Sequence, residues 1–325
     1  MSKRILFDLE IFLLQKRGGI NSFISVLSDG LCENNQVDFF GLYGIKKTGK
    51  IEAKVQSKSI FNKLYLEFIR PLLVYVVSHR YDMVIYSYYP WFINRNNSMV
   101  ILHDIIHEKF KNNFKRTSWI IFKKHSALRR ANTAVSISNF SKRKIQPYVK
   151  RDMLVIHHGF DVDMWSPNSD TTKIEPFVLY VGSRHGYKNF KLALDFAIEK
   201  NKVLWIIGGG KLNTREELLL FESKVEWKSV EEVDNAYLAE LYGKCEYLIY
   251  PSEYEGFGMP PVECLLSGGR VLVQPLAVYK EFLDLSTTVY EGVNGTLLSA
   301  SLKFPRDYYS KKRMIATYAE IAKHF

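Results

Sequence analysis

Two carboxylates, Glu255 and Glu263, flank a glycine-rich turn in the C-terminal half of the sequence. The turn contains Gly256, Phe257 and Gly258, and the two prolines that follow fit the first turn of a helix. An apolar run before the turn predicts a strand. A strand–loop–helix unit of this kind points the free N–H groups of the helix N-terminus at the edge of a sheet. That arrangement is an anion site suited to a diphosphate.

The two carboxylates suit different parts of a ligand bound at such a turn. Glu263, about one turn into the helix, could accept two hydrogen bonds from a ribose diol, as an acidic residue does in dinucleotide-binding folds. Glu255, on the loop, would face the group attached to the phosphate. From the residues alone, a surface loop with Glu255 solvated and Glu263 interacting with the helix dipole fits the spacing equally well.

Short apolar runs alternate with helical stretches in two series along the 325 residues, one starting at Arg4–Leu9 and one at Phe177–Val181. Repeated strand–helix units predict parallel sheets, and this length suits two domains. The predicted domains are residues 1–165 and 166–305. Residues 306–325 form a C-terminal helical segment that could cross back to the N-terminal domain.

The segment SEYEGFGMPPVEC resembles the E-G-F-G-L-P-x-x-E signature of glycosyltransferase family 4, with the two glutamates of the family's E-x7-E motif at Glu255 and Glu263. Five other segments are similar to family motifs, in order along the chain. These are Gly18-Gly19-Ile20, Leu102-His103-Asp104, Val135–Ser141, His158–Asp161 and Tyr180–Asn189. The resemblance covers about residues 5–300. It implies the α/β GT-B fold, in which two Rossmann-like doubly wound parallel-sheet domains face a cleft.

The resemblance implies a retaining, metal-independent hexosyltransferase. Its donor would be a GDP-, UDP- or dTDP-sugar bound by the C-terminal domain. Its acceptor would be a glycan or lipid-linked glycan bound by the N-terminal domain, in surface polysaccharide, lipopolysaccharide or O-antigen biosynthesis. No cofactor and no metal are expected. A D-x-D sequence, Asp161-Val162-Asp163, lies in the predicted linker, where Asp161 fits a role in ordering the linker better than metal binding.

The resemblance also implies roles for individual residues. The expected catalytic residues are Glu255, Lys188 and His103. The expected donor-binding residues are Gly18, Gly19, Arg184, Lys188, Gly256, Phe257, Gly258 and Glu263. One position departs from the family, because Tyr187 stands where the R-K-N motif has arginine. Either Arg184 restores that positive charge, or Lys188 binds the leaving diphosphate alone.

The net positive charge is confined to the N-terminal half. Residues 1–167 contain 26 Lys and Arg against 13 Asp and Glu, and residues 168–325 contain 19 against 21, so the halves carry +13 and −2. Two basic and apolar stretches, Ser59–Arg80 and His107–Arg130, have the composition of helices in a membrane interface, although amphipathic core helices look the same. An anionic membrane surface is therefore an expected partner of a cytoplasmic enzyme that is peripheral on the inner face. The side chains expected to contact it are Lys123, Lys124, Arg129 and Arg130.

Composition excludes several other classes of protein. A hydrophobic fraction of 47% with 24% charged residues is globular rather than disordered. Three widely spaced cysteines exclude a disulfide framework and a cysteine-rich zinc site. We expect no bilayer-spanning helix, because the apolar runs are short. We expect no signal peptide, because the acidic Asp8 falls where the apolar stretch of a signal peptide would lie.

Three alternatives to a glycosyltransferase stay open. A GT-B-type nucleotide-sugar epimerase would use the same fold, and a non-catalytic module would bind the sugar without turnover. A nucleic-acid-binding protein would explain the basic half of the sequence. No helix-turn-helix, zinc or RNP-type signature occurs, so nucleic acid is not an expected partner.

Overall fold

The computed structural model describes residues 2–14, 18–41, 45–47, 65–110, 117–167 and 174–325. The chain divides into two compact units. The first comprises Met1–Gly159 with Lys311–Phe325, and the second comprises Phe160–Ser310. The division precedes the expected boundary at 165/166, because the N–H of Phe160 already donates a 2.7 Å hydrogen bond to the carbonyl of Tyr309 in the second unit.

The first unit contains one mostly parallel sheet. Its described strands are β1 (Arg4–Asp8), β2 (Gln36–Phe40), β3 (Ile45–Lys47), β4 (Met83–Tyr86), β5 (Ser98–Leu102), β6 (Thr133–Ser136) and β7 (Leu154–Val155). They lie in the order β3-β2-β1-β4-β5-β6-β7, and β3 alone among these strands is antiparallel to its neighbour. Every residue of β4 and β5 is buried, as expected of central strands that are covered on both faces.

Helices cover this first sheet. The described ones are α1 (Glu10–Leu14), α2 (Gly19–Cys32), α3 (Arg70–Ser78), α4 (Ile106–Lys109), α5 (Thr117–Arg130) and α6 (Asn139–Val149). A π-helical turn at Tyr65–Ile69 leads directly into α3. Phe23, Ile24, Leu27 and Leu31 of α2 recur at helical spacing and are buried.

The second unit repeats the alternation of strands and helices. Its strands are β8 (Glu175–Val181), β9 (Val203–Ile207), β10 (Trp227–Val230), β11 (Cys245–Tyr250), β12 (Val271–Val273), β13 (Leu283–Gly292) and β14 (Gly295–Leu302). Its helices are α7 (Phe190–Glu199), α8 (Thr214–Ser223), α9 (Asn235–Lys244) and α10 (Met259–Leu266), with short 3-10 turns at Gly186–Lys188, Tyr279–Glu281 and Arg306–Tyr309. The sheet order among the described residues is β10-β9-β8-β11-β12-β14-β13, parallel except around β14.

The last helix, α11 (Lys311–Lys323), belongs to the first unit. Met314, Tyr318 and Ala322 form its buried face, with a spacing of four residues. The ring of Tyr318 lies 6.0 Å from the ring of Phe23 on α2. Apolar packing against α2 therefore holds α11 in this unit.

Two features of the second unit were not expected from the sequence. Trp227–Val230 is the edge strand β10 and pairs with β9. The region after β12 forms an antiparallel hairpin of β13 and β14, which are connected by Val293 and Asn294. Both segments mix polar and apolar residues, so neither resembles the continuous apolar runs of the other strands.

The basic stretch in α5 differs from the expectation of a membrane-facing helix. The Nζ atom of Lys123 lies 2.8 Å from the Glu67 carboxylate, and the Nζ atom of Lys124 lies 2.9 Å from the Glu108 carboxylate. Both lysines are buried. The prediction that Lys123 and Lys124 contact a membrane is therefore wrong, because their charges are neutralised inside the unit.

The other basic stretch, Ser59–Arg80, also buries a charge. The guanidinium of Arg70 is buried and paired with Asp8 at the end of β1. Residues 59–64 and 111–116, which belong to the two stretches, lie outside the described residues. Within the described ranges, no helix is both long enough and apolar enough to cross a membrane.

Candidate active site

The glycine-rich turn lies between β11 and α10, at the C-terminal edge of the second sheet. Gly258 is the N-cap of α10 and has a φ of +94°. A Cβ atom at Gly258 would come 2.8 Å from Cε1 of Tyr279, so both the backbone conformation and the space require glycine. The first turn of α10 contains a proline, which loses no hydrogen bond there. The turn thus leaves the N-terminal amides of α10 directed at the sheet edge.

A buried ion pair stands beside this turn. The Nζ atom of Lys188 donates a 2.6 Å hydrogen bond to Oε1 of Glu255 and a 3.2 Å hydrogen bond to the hydroxyl of Tyr250. The side chains of Lys188 and Glu255 are only 16% and 11% exposed. Burial alone would lower the pKa of Lys188, but the Glu255 carboxylate outweighs burial and holds that pKa above its usual value. The lysine is therefore a fixed positive charge at the turn.

Hydrogen bonds of the neighbouring residues fix the position of Lys188. It ends the 3-10 turn that follows β8, and Asn189 after it adopts a left-handed conformation with a φ of 48°. The Asn189 side chain donates a 2.9 Å hydrogen bond to the carbonyl of Asn294. The N–H of Glu253 donates to the carbonyl of Tyr187 at 2.8 Å, which ties the loop of Lys188 to the loop of Glu255.

Three tyrosines surround the ion pair. The rings of Tyr187 and Tyr250 lie 5.4 and 5.3 Å from the Nζ atom of Lys188. Burial and then the Glu255 charge raise the pKa of Tyr250 well above its usual value, so this hydroxyl keeps its proton. The buried hydroxyl of Tyr279 has no hydrogen-bond partner among the described residues. Tyr250 was not predicted as a site residue, although it ends an apolar strand at the edge where such sheets bind ligands.

The second carboxylate, Glu263, lies on α10 and accepts a 3.2 Å hydrogen bond from the hydroxyl of Tyr242. Burial raises the pKa of Glu263 to about 7, although the Tyr242 hydrogen bond opposes this rise. The carboxyl is consequently half protonated near neutral pH. A group in this state is ready to accept hydrogen bonds from ligand hydroxyls and to ionise when it does so.

Arg184 is engaged by the protein itself. Its Nη atoms donate to the carbonyls of Gly208, Gly210 and Lys211 at 2.9, 3.0 and 3.0 Å. Its Nε atom lies 3.0 Å from the Glu216 carboxylate. The three glycines of this loop have φ values between +74° and +79°, which aim their carbonyls at the guanidinium. Donor binding by Arg184 would require these bonds to break, so its role as a substitute for the missing arginine at position 187 loses support.

Replacing Arg184 by alanine is expected to lower the free energy of unfolding by about 2 kcal/mol, because the carbonyls of the glycine loop lose their charged donor. Urea unfolding measures this loss, and Arg215→Ala, at an exposed position of α8, is the matched control. Nucleoside diphosphate affinity should change little. Unchanged stability together with a large loss of affinity would show that Arg184 binds the donor.

The remaining expected site residues lie in the first unit. Gly18 and Gly19 are exposed at the start of α2, where Gly18 is the extended N-cap. His103 follows β5 and is 4% exposed, and neither of its ring nitrogens has a hydrogen-bond partner among the described residues. Burial lowers the pKa of His103 to about 4, so the imidazole is neutral near pH 7. The ring of Phe23 meets it edge-on at 5.3 Å.

The linker sequence Asp161-Val162-Asp163 is part of a turn. The Oδ1 atom of Asp161 accepts a 3.4 Å hydrogen bond from the N–H of Met164, and the carbonyl of Asp161 accepts one from Trp165 at 3.0 Å. Across the described ranges, no group of three or more His, Cys, Asp or Glu side chains is arranged to hold a metal ion.

The folds of the two units are those of solved glycosyltransferase structures. Sucrose-phosphate synthase from Thermosynechococcus elongatus has a TM-score of 0.70 to this chain at 17% identity, over 86% of this chain and 83% of that one. HepE from Anabaena, in complex with UDP-glucose, has a TM-score of 0.65 at 18% identity, over 99% and 94% of the two chains. Together with the two mostly parallel sheets, these likenesses show the GT-B fold.

Sequence comparison also indicates a glycosyltransferase. Residues 161–297 match the model of the family described as Glycosyl transferases group 1. This range contains Lys188, Glu255 and Glu263, whereas His103 lies outside it. The O-antigen chain mannosyltransferase RfbU of Salmonella typhimurium (strain LT2) is 26% identical over 197 residues, which are 58% of this chain and 54% of that protein. The chain spans about half the length of the curated relatives it matches.

Proposed function

We propose that this protein is a retaining glycosyltransferase of family 4 that transfers a hexose from a nucleotide-sugar donor. The observation that carries the proposal is the buried Lys188–Glu255 pair beside the glycine turn of α10. This pair supports the proposal because its fixed cation would bind the leaving diphosphate and its carboxylate would bind the donor sugar. The Glycosyl transferases group 1 match covers the segment that contains both residues.

The difficult step in such a transfer is the departure of the nucleoside diphosphate from the anomeric carbon. The bond between that carbon and the phosphate oxygen breaks, and its electron pair stays on the diphosphate. Lys188 and the N-terminal amides of α10 would stabilise this charge as it develops, which is electrostatic preorganisation. We expect no metal to be required, because these groups supply the positive charge themselves.

The carboxylates would hold the donor rather than react with it. Glu255 is neutralised by Lys188 at 2.6 Å, so it suits hydrogen bonding to sugar hydroxyls better than nucleophilic attack. The Glu263 carboxylate would accept hydrogen bonds from the ribose hydroxyls. The acceptor hydroxyl would attack the anomeric carbon on the face that the diphosphate leaves, and its proton would pass to a phosphate oxygen of the donor. This geometry retains the anomeric configuration.

Roles are also proposed for the motif residues of the first unit. The amides at Gly18 and Gly19 are exposed and are proposed to bind the donor phosphates. His103 is proposed to contact the donor sugar or orient the acceptor through a neutral imidazole, since its depressed pKa of about 4 leaves one nitrogen to accept and one to donate.

The class of substrate is proposed from the relatives. RfbU is named as an O-antigen chain mannosyltransferase, and HepE was solved with UDP-glucose. We therefore propose a GDP-, UDP- or dTDP-hexose as donor and a glycan or lipid-linked glycan as acceptor, in the biosynthesis of a surface polysaccharide such as O-antigen or lipopolysaccharide. The protein would act in the cytoplasm, at the inner face of the membrane.

The test is product analysis with a panel of nucleotide sugars and lipid-extract acceptors in buffer containing EDTA. We expect release of the nucleoside diphosphate, transfer of the sugar with retained anomeric configuration, and the same rate with and without EDTA. Inverted product would refute the retaining mechanism. Loss of turnover in EDTA that Mg²⁺ or Mn²⁺ restores would refute metal independence. Isomerisation of the donor without any acceptor would identify an epimerase instead.

A further inference from the structure

The first unit carries an exposed apolar stripe along the π-helical turn and α3. Its five side chains are between 38% and 59% exposed, although all are large and apolar. They are Phe68, Ile69, Leu72, Leu73 and Val76. Their spacing of one, four, five and eight positions puts them on one side of a helix. An apolar surface of this extent on a soluble unit marks an interaction site.

Aromatic rings extend the stripe. The ring centroid of Trp91 lies 6.0 Å from that of Phe68 and 4.8 Å from that of Phe92. Phe92 in turn contacts Tyr75 of α3, with centroids 5.4 Å apart. The row is therefore continuous with α3 rather than a set of scattered surface residues.

A second pair of rings joins the row through Glu67. The indole N–H of Trp91 donates to the carbonyl of Glu67 at 2.7 Å, and the indole N–H of Trp119 donates to the carboxylate of the same residue. Phe122 stacks on Trp119 with centroids 5.4 Å apart, and it is 52% exposed. Both indoles thus satisfy their polar atoms inside the protein, which leaves ring surface for an apolar partner.

Three arginines border the aromatic row. The guanidinium of Arg130 donates to the carbonyl of Trp91, and Arg95 and Arg129 are exposed. Burial and then the charges of Arg95 and Arg129 lower the pKa of Arg130, so the three guanidinium groups are close together. In contrast, Lys123 and Lys124 of the same helix are neutralised in buried ion pairs. The positive charge therefore sits at the rim of the apolar surface.

We propose that this face, which we call the α3 surface, docks on an anionic lipid bilayer. The α3 surface comprises the five residues of the stripe, Trp91 and Phe122, with Arg95, Arg129 and Arg130 as its basic rim. Apolar and aromatic side chains would enter the interfacial region, and the arginines would meet anionic head groups. A second copy of the chain fits less well, because a symmetric pairing brings like-charged rims towards each other. The proposal deepens the proposed function, since a lipid-linked acceptor would lie in the same bilayer.

Vesicle sedimentation with the full chain tests the proposal. Vesicles of phosphatidylcholine with phosphatidylglycerol should bind the protein at low salt and release most of it at high salt, and pure phosphatidylcholine should bind it weakly. The double variant Leu72→Gln/Val76→Gln should bind at least tenfold more weakly. Both residues are about half exposed, so the fold should survive, and a thermal melt checks this.

Matched controls distinguish lipid binding by the α3 surface from nonspecific binding elsewhere on the protein. Leu218→Gln/Phe221→Gln removes two exposed apolar side chains from α8 in the second unit and should leave vesicle binding unchanged. Arg95→Gln/Arg129→Gln should weaken binding by about fivefold for each arginine. Arg143→Gln/Lys144→Gln, at exposed positions of α6, removes the same charge elsewhere in the first unit and should have a much smaller effect.

Several results would overturn the proposal. No particular surface would bind lipid if Leu72→Gln/Val76→Gln and Leu218→Gln/Phe221→Gln lost the same amount of vesicle binding. The same conclusion would follow from equal losses of vesicle binding in the two variants that remove positive charge. Failure of wild type to bind anionic vesicles would overturn it directly. A stripe variant that changes the oligomeric state but not vesicle binding would assign the surface to a second copy. Nucleoside diphosphate affinity of the same variants reports on the proposed function separately, because none of these residues belongs to the donor site.

Discussion

Lys188→Ala is expected to lower kcat by about 10²- to 10³-fold, the loss that follows removal of one preorganised donor to a developing negative charge. The lysine is 2.6 Å from Glu255 and is fixed at the turn, so its charge needs no rearrangement during the reaction. Because that charge matters most as the bond to the diphosphate breaks, the affinity for the intact donor should fall by a smaller factor. Steady-state kinetics and donor titration give the two quantities.

The Lys188 variant also leaves the largely buried Glu255 carboxylate without its partner. Loss of stability is therefore expected, and Lys188→Ala/Glu255→Gln should recover part of it without recovering kcat. Lys191→Ala is the matched control, since Lys191 is exposed on the next helix and pairs with Asp195 there. Its kinetics should equal those of wild type. If Lys188→Ala turned over at the wild-type rate, another group would carry the leaving charge.

Glu263→Gln is expected to weaken nucleoside diphosphate binding by about 1.5–3 kcal/mol, which is roughly ten- to hundredfold in Kd. The amide keeps the shape of the side chain but cannot accept two charge-assisted hydrogen bonds from a ribose diol. Calorimetric titration of the full chain measures the change. Glu222→Gln, at an exposed position of α8, should bind as wild type does.

The same variant should change the pH dependence of stability. Burial raises the pKa of Glu263 from 4.5 to about 7, so folding takes up a proton between these values. The stability that this carboxyl contributes is complete below pH 4.5 and is lost as the pH rises through 7. Above pH 7, Glu263→Gln should thus be more stable than wild type, by at most about 3 kcal/mol. A wild-type advantage at pH 8 would contradict the raised pKa.

The same calorimetric titrations also report whether Glu263 ionises when the nucleoside diphosphate binds. Ribose hydroxyls that donate to the carboxylate favour its ionised form, so nucleoside diphosphate binding near pH 7 should release protons. The release is detectable as a dependence of the binding enthalpy on the ionisation enthalpy of the buffer. It should be absent in Glu263→Gln.

Local sequence patterns predicted most of the elements that position the site. The helix predicted after the glycine turn forms as α10 (Met259–Leu266), because a glycine and two prolines mark its start and a glycine follows its end. The continuous apolar run Phe177–Val181 likewise predicted a strand, and it lies within the central strand β8. The β13–β14 hairpin was missed despite the Asn294-Gly295 turn signal, since its strands lack a regular apolar alternation.

Long-range contacts could not be predicted from the residues. Lys188 and Glu255 are far apart in the sequence and meet because β8 and β11 are neighbours in the sheet, which a list of strands does not specify. Charge counts likewise failed for Lys123 and Lys124, because composition does not tell which lysines find buried carboxylates. The resemblance to a family assigned Lys188 and Glu255 to one site, but it gave neither their ion pair nor the bonds of Arg184 to the glycine loop.

The most direct test of the central claim is titration of the full chain with UDP, GDP, ADP and dTDP in EDTA. We expect at least one of these diphosphates to bind at micromolar Kd without a metal. The corresponding monophosphate should bind more weakly, because Lys188 and the N-terminus of α10 favour the second phosphate. If none of the four binds, or if binding requires a divalent cation, the assignment of this turn as a metal-independent nucleotide-sugar site is wrong.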